Sequence, residues 1–373
     1  MDHALDTAVL IPSYKPDDKL VAYVKSLREA SLGKIVIVDD GSGADYRAVF
    51  DAIPQDDTVT VLHYEPNQGK GVALKKGLVY LQEACADISF IVTADSDGQH
   101  TATDVLRMSQ ALHENGTGLL LGSRDFSQAN VPFKSRNGNR ITSSVFWLLY
   151  GHWVSDTQTG LRGFSRELLS LMAKVRGERY EYEMNVLIEC AGAHIPMRAL
   201  PIETVYENDN EGSHFRAFHD SARIYKVIFA GFFRFLSSSA ISFLVDYGFY
   251  VLLTFLFSIF APMLSNNLIL GTFHVNPQVV LATVVARLIS GLFNFFVNKR
   301  FVFDSHAAAR KVLPRYLCVF VLIMLLSAFL TSTLHLWTGW SDRIAKIPVD
   351  LLLFFLSYRI QRNWVFAKGE NEN

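Results

Sequence analysis

The segment Thr93–His100 carries two carboxylates, Asp95 and Asp97, directly after the apolar run Ile88–Val92. Side chains two positions apart point to the same side of an extended strand, so both acids can face one charged object. Carboxylate oxygens together with the carbonyl oxygen of Gln99 suit Mg²⁺ or Mn²⁺, above all when the phosphates of a ligand complete the coordination shell. The segment therefore predicts a metal site with Asp95, Asp97 and Gln99 as ligands. A solvated acidic turn is the alternative that this motif alone leaves open.

Polar residues follow other apolar runs in the same part of the chain. The run Lys34–Val38 leads into Asp39 and Asp40, which can accept hydrogen bonds from a base N–H or from ribose hydroxyls. The segment Asn67–Gly71 opens a helical pattern. Backbone N–H groups and the helix dipole favour phosphate at such a position, and Lys70 adds a positive charge. These features predict binding of a phosphorylated nucleoside.

Short apolar runs alternate with helical patterns up to about residue 225. We predict strands at Ala8–Ile11, Lys34–Val38, around Leu62, at Phe90–Thr93 and at Gly118–Leu121. Helical patterns such as Asp18–Ala30 and Gly71–Cys85 separate several of them, which predicts an α/β domain with a mainly parallel sheet. Ligands of such sheets bind beyond the carboxyl ends of the strands. No G-x-G-x-x-G motif follows the first strand and no Walker lysine motif is present, which disfavours dinucleotide dehydrogenases and P-loop enzymes.

The C-terminal part of the chain is much more apolar. Four stretches, approximately 232–257, 279–297, 316–337 and 349–366, are each long enough to cross a membrane, which takes about 20 residues. We therefore predict a domain at 1–228 and an all-α transmembrane domain of four helices at 229–373. The net charge of −1 gives no basic footprint for nucleic acid. The three cysteines show no metal-ligand spacing.

Loop charges predict the orientation of these spans. Five basic residues lie between Lys299 and Arg315, in the connection of the second and third spans, whereas the stretch 261–278 contains no Lys or Arg. The positive-inside rule places the basic loop in the cytoplasm, and an even number of spans puts both termini on that side. The segment Met1–Thr7 is polar and charged, unlike a signal peptide. We expect a multi-pass protein of the cytoplasmic (inner) membrane with its N-terminal domain and C-terminus in the cytosol.

The predicted spans contain ionisable residues, which are costly in hydrocarbon. Asp246 lies near the middle of the first span and Arg287 near the middle of the second, so the two can pair between antiparallel helices. A structural salt bridge and a polar seam for a charged lipid headgroup both remain open. In addition, Asn294–Phe303 aligns with Ser357–Phe366, which favours two helical hairpins of related design.

Five motifs of the N-terminal part occur in the order typical of one enzyme family. They are Leu10–Tyr14, Ile37–Ser42, Asn67–Gly71, Thr93–His100 and Gly122–Arg124. With them the chain resembles family 2 glycosyltransferases of the dolichyl-phosphate-mannose synthase and polyprenyl-phosphate glycosyltransferase type, which have the GT-A fold. The C-terminal part resembles the GtrA-type four-span domain. One departure is Ser96, where the family usually has alanine, and we expect it to have little effect.

The resemblance implies roles for individual residues. Asp39 and Asp40 would hold the nucleoside, Asp95 would lie near the ribose and the metal, and Asp97 with Gln99 would bind the metal that bridges the donor diphosphate. The further substrate-binding candidates are Pro12, Tyr14, Lys70, Arg140, Arg162, and, near the acceptor headgroup, His214 and Arg216. The catalytic candidates are Asp97, Arg124, Asp156 and Glu183.

The acceptor decides which of these groups the chemistry requires. A phosphomonoester has a second pKa near 6 and is mostly ionised at neutral pH, so it needs cations for positioning rather than a strong base. The candidate cations are Arg136, Arg140, Arg162 and Arg216. A hydroxyl acceptor would need a base. Asp156 and Glu183 are the available carboxylates, and we expect them to act as orienting groups.

Residues 140–154 are apolar and aromatic at helical spacing, which predicts an amphipathic helix at the membrane interface; core packing is the alternative. Together these features predict an inverting, metal-dependent hexosyltransferase that moves sugar from a UDP- or GDP-linked donor to polyprenyl (undecaprenyl) phosphate. The expected partners are the donor, the lipid and the bilayer, with no nucleic acid, and self-association stays open. A transferase acting on a lipid or glycan hydroxyl is the alternative enzyme. A lipid-linked sugar translocator or assembly platform is the alternative of a different class.

Overall fold

A computed structural model describes residues 4–126, 131, 133–203, 217–265, 268–270 and 273–367. The chain divides into two compact units, Met1–Ile228 and Phe229–Asn373. The first is an α/β unit and the second is helical.

The N-terminal unit is built on a seven-stranded sheet with the order β3-β2-β1-β4-β6-β5-β7. The strands are β1 (Thr7–Ser13), β2 (Lys34–Asp40), β3 (Val59–Tyr64), β4 (Phe90–Thr93), β5 (Leu119–Arg124), β6 (Arg162–Ser165) and β7 (Met197–Ile202). Strand β6 is antiparallel to β4 and β5, and all other pairs are parallel. The prediction of a mainly parallel sheet is confirmed, whereas the reversed strand β6 was not predicted.

Helices connect and cover these strands. They are α1 (Asp18–Glu29), α2 (Arg47–Asp51), α3 (Lys70–Ala84), α4 (Ala102–Glu114), α5 (Phe133–Tyr150), α6 (Leu169–Lys174) and α7 (Glu181–Gly192), with 3₁₀ turns at Ala44–Tyr46 and Arg166–Leu168. Side chains of Asp17 and Thr101 cap α1 and α4 by accepting from the backbone N–H groups of Lys19 and Asp104. Strand β1 is buried along its whole length, as expected for a central parallel strand covered on both faces.

The parallel strands β1 to β4 present their carboxyl ends at one edge of the sheet, where the loops that carry the predicted site begin. One glycine is essential to this arrangement. Gly69, which precedes α3, has φ +106°, and a Cβ there would lie 2.5 Å from the carbonyl oxygen of Glu178. Only glycine therefore allows α3 to start at Lys70 beside the segment that leads into α7.

The C-terminal unit consists mainly of long helices. Helix α8 (Ala217–Phe260) begins in the N-terminal unit, and α9 (Pro277–Val297), α10 (Ala309–Thr338) and α11 (Asp342–Ile360) follow. Helix α9 continues into a π-helical segment at Asn298–Val302, and α11 continues into another at Gln361–Val365. A 3₁₀ turn at Pro262–Ser265 and the antiparallel strands β8 (Leu268–Leu270) and β9 (Phe273–Val275) lie between α8 and α9.

Three of the described helical segments are long and apolar enough to cross a membrane: Asp220–Phe260, Pro277–Val302 and Ala309–Thr338. They correspond to the first three predicted spans. The fourth predicted span falls on α11 and its π-helical extension, where Lys346, Asp350 and Arg359 interrupt the apolar sequence. A fourth membrane crossing therefore stays a prediction.

Two polar clusters join the helices of this unit. The predicted pair of Asp246 and Arg287 is confirmed, with 3.5 Å between the Arg287 Nε and an Asp246 oxygen, and Ser290 Oγ donates to the same carboxylate at 2.9 Å. The second cluster links the two π-helical segments through a 3.0 Å hydrogen bond from the Asn298 side-chain amide to that of Gln361. Both residues occupy matching positions of the sequence repeat.

Candidate active site

The acids after β4 lie beside a half-buried lysine. Lys70 Nζ is 2.6 Å from Asp95 Oδ1 and 2.8 Å from Glu183 Oε1. Burial disfavours the ammonium, but the two carboxylates outweigh this effect and raise the pKa of Lys70, which keeps it charged. Burial also opposes ionisation of Asp95, yet Lys70 and His100 hold the pKa of Asp95 well below its usual range. The cluster is therefore a stable arrangement of charged groups.

Asp97 is the acid that this arrangement leaves uncompensated. Its carboxylate accepts the backbone N–H of Gln99 at 3.1 Å and forms no ion pair within the described part of the chain. Burial and the charge of Asp95 raise the pKa of Asp97. A divalent cation would remove this repulsion, and the hard oxygen donors of Asp95, Asp97 and Gln99 fit Mg²⁺ or Mn²⁺. The described residues contain no group of three or more His, Cys, Asp or Glu residues that could hold a metal, so ligand phosphates would have to complete the shell.

The loop before β6 packs directly on Asp95. A Cβ at Gly160 would lie 2.3 Å from Asp95 Oδ2, so no other residue fits at this position without moving the carboxylate. Thr93 Oγ1 donates to the carbonyl oxygen of Gly160 at 2.8 Å and fixes the loop. Gly160 was not predicted from the sequence, where its only signal is a glycine in a polar segment that precedes a strand.

Asp40 holds the loop before α3. Its carboxylate accepts from the Tyr64 hydroxyl at 2.5 Å and from the backbone N–H groups of Gln68 and Gly69 at 2.8 and 2.9 Å. These two N–H groups precede α3, and phosphate binding at the start of that helix stays a prediction. Asp40 is buried and fixes the loop before α3, and the nucleoside contact predicted for it is not tested by these bonds.

Asp39 retains free acceptor capacity. Oδ1 accepts the backbone N–H of Ser42 at 2.9 Å, and Oδ2 lies 3.0 Å from His63 Nδ1. A carboxylate offers about four acceptor positions, so these two bonds leave room for a ligand. His63 was not identified from the sequence, although it stands directly opposite Asp39 in the β2–β3 register.

Arg124 and Asp156 form a two-pronged ion pair at the end of β5. Arg124 Nε and Nη2 donate to Asp156 Oδ2 and Oδ1 at 2.7 and 3.1 Å. The Asp156 side chain is completely buried, whereas that of Arg124 is 23% exposed. Asp156 thus orients an arginine whose side chain reaches the surface.

Arg162 is enclosed between two elements of the site. Its side chain is buried, and its Nε and Nη1 donate to the carbonyl oxygens of Thr159 and Glu183 at 2.9 and 2.7 Å. Arg162 therefore joins the loop that contacts Asp95 to the helix that carries Glu183. Its Nη2 atom is buried and has no hydrogen-bond partner among the described residues, so the predicted phosphate contact stays a prediction.

The remaining candidate substrate-binding residues differ in burial. Pro12 is buried at the end of β1, and Tyr14 follows it in a half-buried position. Arg140 is exposed on α5. His214 and Arg216 lie outside the described residues.

The predicted interfacial helix corresponds to the C-terminal part of α5 and the residues after it. Phe146 and Leu149 are fully buried, whereas Ile141, Trp147, Leu148 and Trp153 are between 41% and 58% exposed. One face thus packs in the core and the other presents large apolar side chains. Such a surface is typical of contact with a membrane or another protein.

The sheet and the acidic site at its carboxyl edge define an α/β enzyme, and comparisons identify its family. Residues 8–171 match the model of glycosyl transferase family 2. Residues 234–366 match the GtrA/DPMS transmembrane domain.

A UDP-N-acetylglucosamine–dolichyl-phosphate N-acetylglucosaminyltransferase of Methanococcus voltae is 30% identical over 217 residues, which cover 53% of this chain and 85% of the relative. An uncharacterized protein of Methanocaldococcus jannaschii is 29% identical over 205 residues, covering 53% and 81% of the two chains.

Solved structures show more distant similarity. Glucosyl-3-phosphoglycerate synthase of Mycobacterium tuberculosis, in complex with Mn²⁺, UDP and glucosyl-3-phosphoglycerate, has 16% identity and a TM-score of 0.45, with 61% of this chain and 80% of that chain covered. Mannosyl-3-phosphoglycerate synthase of Rubrobacter xylanophilus has the same identity and TM-score, with 63% and 75% covered.

The chain belongs to glycosyl transferase family 2. It is a glycosyltransferase with a GtrA/DPMS transmembrane domain after its catalytic domain.

Proposed function

We propose that this glycosyltransferase moves a hexose from a nucleotide sugar to a polyprenyl phosphate, with inversion, at the cytoplasmic face of the inner membrane. The observation that carries this proposal is the presence, in one family 2 chain, of the Lys70–Asp95–Asp97 cluster and of a GtrA/DPMS transmembrane domain. The Methanococcus voltae relative is named for UDP-N-acetylglucosamine and dolichyl phosphate. UDP-N-acetylglucosamine is therefore the first donor to test.

The donor would bind at the carboxyl edge of the sheet. Asp39 accepts an N–H of the base, while Asp95, Asp97 and Gln99 hold Mg²⁺ or Mn²⁺. When bound, the cation offsets the negative charge that develops on the departing nucleoside diphosphate. Arg124, fixed by Asp156, lies at the end of a neighbouring strand and is suited to a phosphate oxygen.

The acceptor is proposed to be an ionised phosphate because both predicted candidate bases are engaged in ion pairs. Glu183 is paired with Lys70, and Asp156 is paired with Arg124. Neither carboxylate is available to deprotonate a hydroxyl, whereas a phosphomonoester needs no such step. An oxygen of the acceptor phosphate attacks the anomeric carbon from the side opposite the diphosphate. The new C–O bond forms as the bond to the nucleoside diphosphate breaks, and the electron pair leaves with the diphosphate.

The membrane part would bring the lipid to this site. The exposed apolar residues of α5 and its extension, above all Trp147 and Trp153, are suited to the interface of a bilayer. The basic loop between α9 and α10 favours a cytoplasmic position for that end of the helical unit. An even number of crossings would place the catalytic domain and the C-terminus in the cytosol.

The test is sugar transfer by the full-length protein in lipid nanodiscs. Radiolabelled UDP- and GDP-sugars are each offered with Mg²⁺ or Mn²⁺ to undecaprenyl phosphate, and in parallel to undecaprenol. We expect label in the lipid fraction with the phosphate and one donor, and none with undecaprenol. Transfer to undecaprenol at a similar rate would instead support a hydroxyl acceptor. Binding of a nucleotide without transfer to either lipid would refute the proposal.

A further inference from the structure

The geometry around Asp39 points to a residue that the family motifs do not contain. We propose that His63 is a positioning residue for donor binding, which fixes the Asp39 carboxylate so that it can accept an N–H of the nucleotide base. The inference rests on the proposed function, in which Asp39 contacts the base. It adds His63 as the group that orients the Asp39 carboxylate for this contact.

His63 holds one oxygen of the carboxylate. Asp39 and His63 are direct partners in the parallel ladder of β2 and β3, and His63 Nδ1 lies 3.0 Å from Asp39 Oδ2. The imidazole is itself fixed by Phe50, which meets it edge to face with 5.4 Å between the ring centres. Nδ1 donates to the carboxylate, and the His63 side chain, which also carries Nε2, is 30% exposed.

The second oxygen is held from the opposite side. Ser42 N–H donates to Asp39 Oδ1 at 2.9 Å, and the hydroxyl of Ser42 accepts the backbone N–H of Lys15 at 2.8 Å. Lys15 adopts φ +51°, an uncommon conformation for a residue with a side chain, and such strain is concentrated at functional sites. His63 of β3 and Ser42 after β2 thus bind the Asp39 carboxylate directly, and Lys15 after β1 binds Ser42.

The adjacent pair in the same ladder shows what a purely structural arrangement looks like. Asp40 stands opposite Tyr64, and its oxygens are filled by the Tyr64 hydroxyl, the Asn67 amide and the backbone N–H groups that precede α3. Asp39 has one donor on each oxygen and keeps acceptor positions free. The Asp39 carboxylate is therefore fixed in orientation, is 10% exposed, and keeps acceptor positions that a base N–H could use.

The experiment measures binding of UDP and GDP to the full-length protein by calorimetry in the presence of Mg²⁺, together with KM and kcat for the donor. We expect His63→Leu to weaken binding of the preferred nucleotide about tenfold and to raise the donor KM equally, with kcat within twofold of wild type. His63→Asn should restore most of the affinity, because its side-chain N–H takes the place of Nδ1–H. Binding of inorganic pyrophosphate, which has no base, should be the same in all variants.

His113→Leu is the matched control. His113, in the last turn of α4, also pairs with an aspartate at 2.7 Å and packs on the ring of Phe90. Its partner Asp6 precedes the amino end of β1, away from the predicted site. This variant should lower the melting temperature without changing the nucleotide affinity. Adding His63→Leu to Asp39→Ala should have no further effect on affinity, because His63 acts through Asp39.

Three results would overturn the inference: wild-type affinity in His63→Leu, no recovery in His63→Asn, or equal weakening of pyrophosphate binding. If the wild-type protein binds neither UDP nor GDP, the proposed function fails as well. Nucleotide binding by the wild type together with an unaffected His63→Leu variant would reject the role of His63 alone.

Discussion

The two units of this protein each contain a cluster of opposite charges, and the two clusters differ in what they leave unbalanced. In the catalytic unit Lys70 pairs with both Asp95 and Glu183, while the nearby Asp97 lacks a cation among its described contacts. In the helical unit Asp246 is balanced by Arg287 and bonded to Ser290. A half-buried acid without a paired cation is suited to binding a metal ion, whereas an ion pair between two helices is suited to holding them together. We therefore expect chemistry to depend on the first cluster and helix packing on the second.

The largest difference should come from removing the unbalanced charge. Asp97→Asn should reduce sugar transfer at least about a hundredfold, because the site loses a ligand of the cation that stabilises the leaving diphosphate. The melting temperature should not fall, since burial and Asp95 already disfavour the ionised form of Asp97. Both are measured on the purified protein. Asp87→Asn, at an exposed position, is the control, and a similar loss of activity in that variant would show that the effect is not specific.

Removing the cation of the same cluster should affect both stability and activity. Lys70→Met removes the cation shared by Asp95 and Glu183 and leaves Asp95 with His100, and the loss of such an enclosed ion pair costs roughly 3 kcal/mol. Chemical denaturation of the full-length protein should show this loss, and transfer should be abolished. Lys76→Met changes an exposed lysine of the same helix and should preserve both properties. An equally stable Lys70→Met variant would mean that the two carboxylates do not depend on this lysine.

Substitutions of Asp246 and Arg287 in the helical unit should have smaller effects on stability. Asp246→Asn and Arg287→Gln are each expected to destabilise the protein by about 1 kcal/mol, the scale of polar interactions between membrane helices. Because the two residues interact directly, the double variant should cost less than the sum of the single changes. Thermal unfolding in nanodiscs measures all three. Strictly additive losses would show that the ion pair does not join the helices, and the comparison of the two clusters would fail.

The smallest expected effect is a pH dependence in the absence of metal. The pKa of Asp97 is raised in the folded protein, so the folded state binds more protons than the unfolded state between the two pKa values. Stability should therefore fall as the pH rises through that interval. Asp95 has a lowered pKa and contributes the opposite sign, since its stabilisation is lost only as the pH falls below the usual range of a carboxyl group.

Melting temperatures between pH 4.5 and 8 with EDTA present measure this effect. The decline with rising pH should be absent in Asp97→Asn. An unchanged decline in that variant would assign it to another group.

The sequence predicted those features that depend on local pattern. Apolar runs that end in acids located Asp39 and Asp95 at the carboxyl edge of a mainly parallel sheet, and equal depth in antiparallel helices predicted the pair of Asp246 and Arg287. The contacts of Lys70 were out of reach, because its partners lie 25 and 113 positions further along the chain, at residues 95 and 183.

Burial could not be predicted either. Asp40 and Arg162 have the residue types of ligand-binding groups, but Asp40 is bonded to the loop before α3, and Arg162 to the loop before β6 and to α7. His63 was missed for a related reason. Its significance comes from the register of β2 and β3, which places it opposite Asp39.

The most direct test of this account compares one variant from each cluster in the same transfer assay. Asp97→Asn and Asp246→Asn are reconstituted in nanodiscs at equal amounts of folded protein, and label transferred from the nucleotide sugar to undecaprenyl phosphate is measured over time. We expect transfer to be lost in Asp97→Asn and to remain within about threefold of wild type in Asp246→Asn. A substitution in a packing contact lowers activity little once the protein is folded. Retained transfer in Asp97→Asn, or its loss in a folded Asp246→Asn, would contradict the assignment of the chemistry to the edge of the sheet.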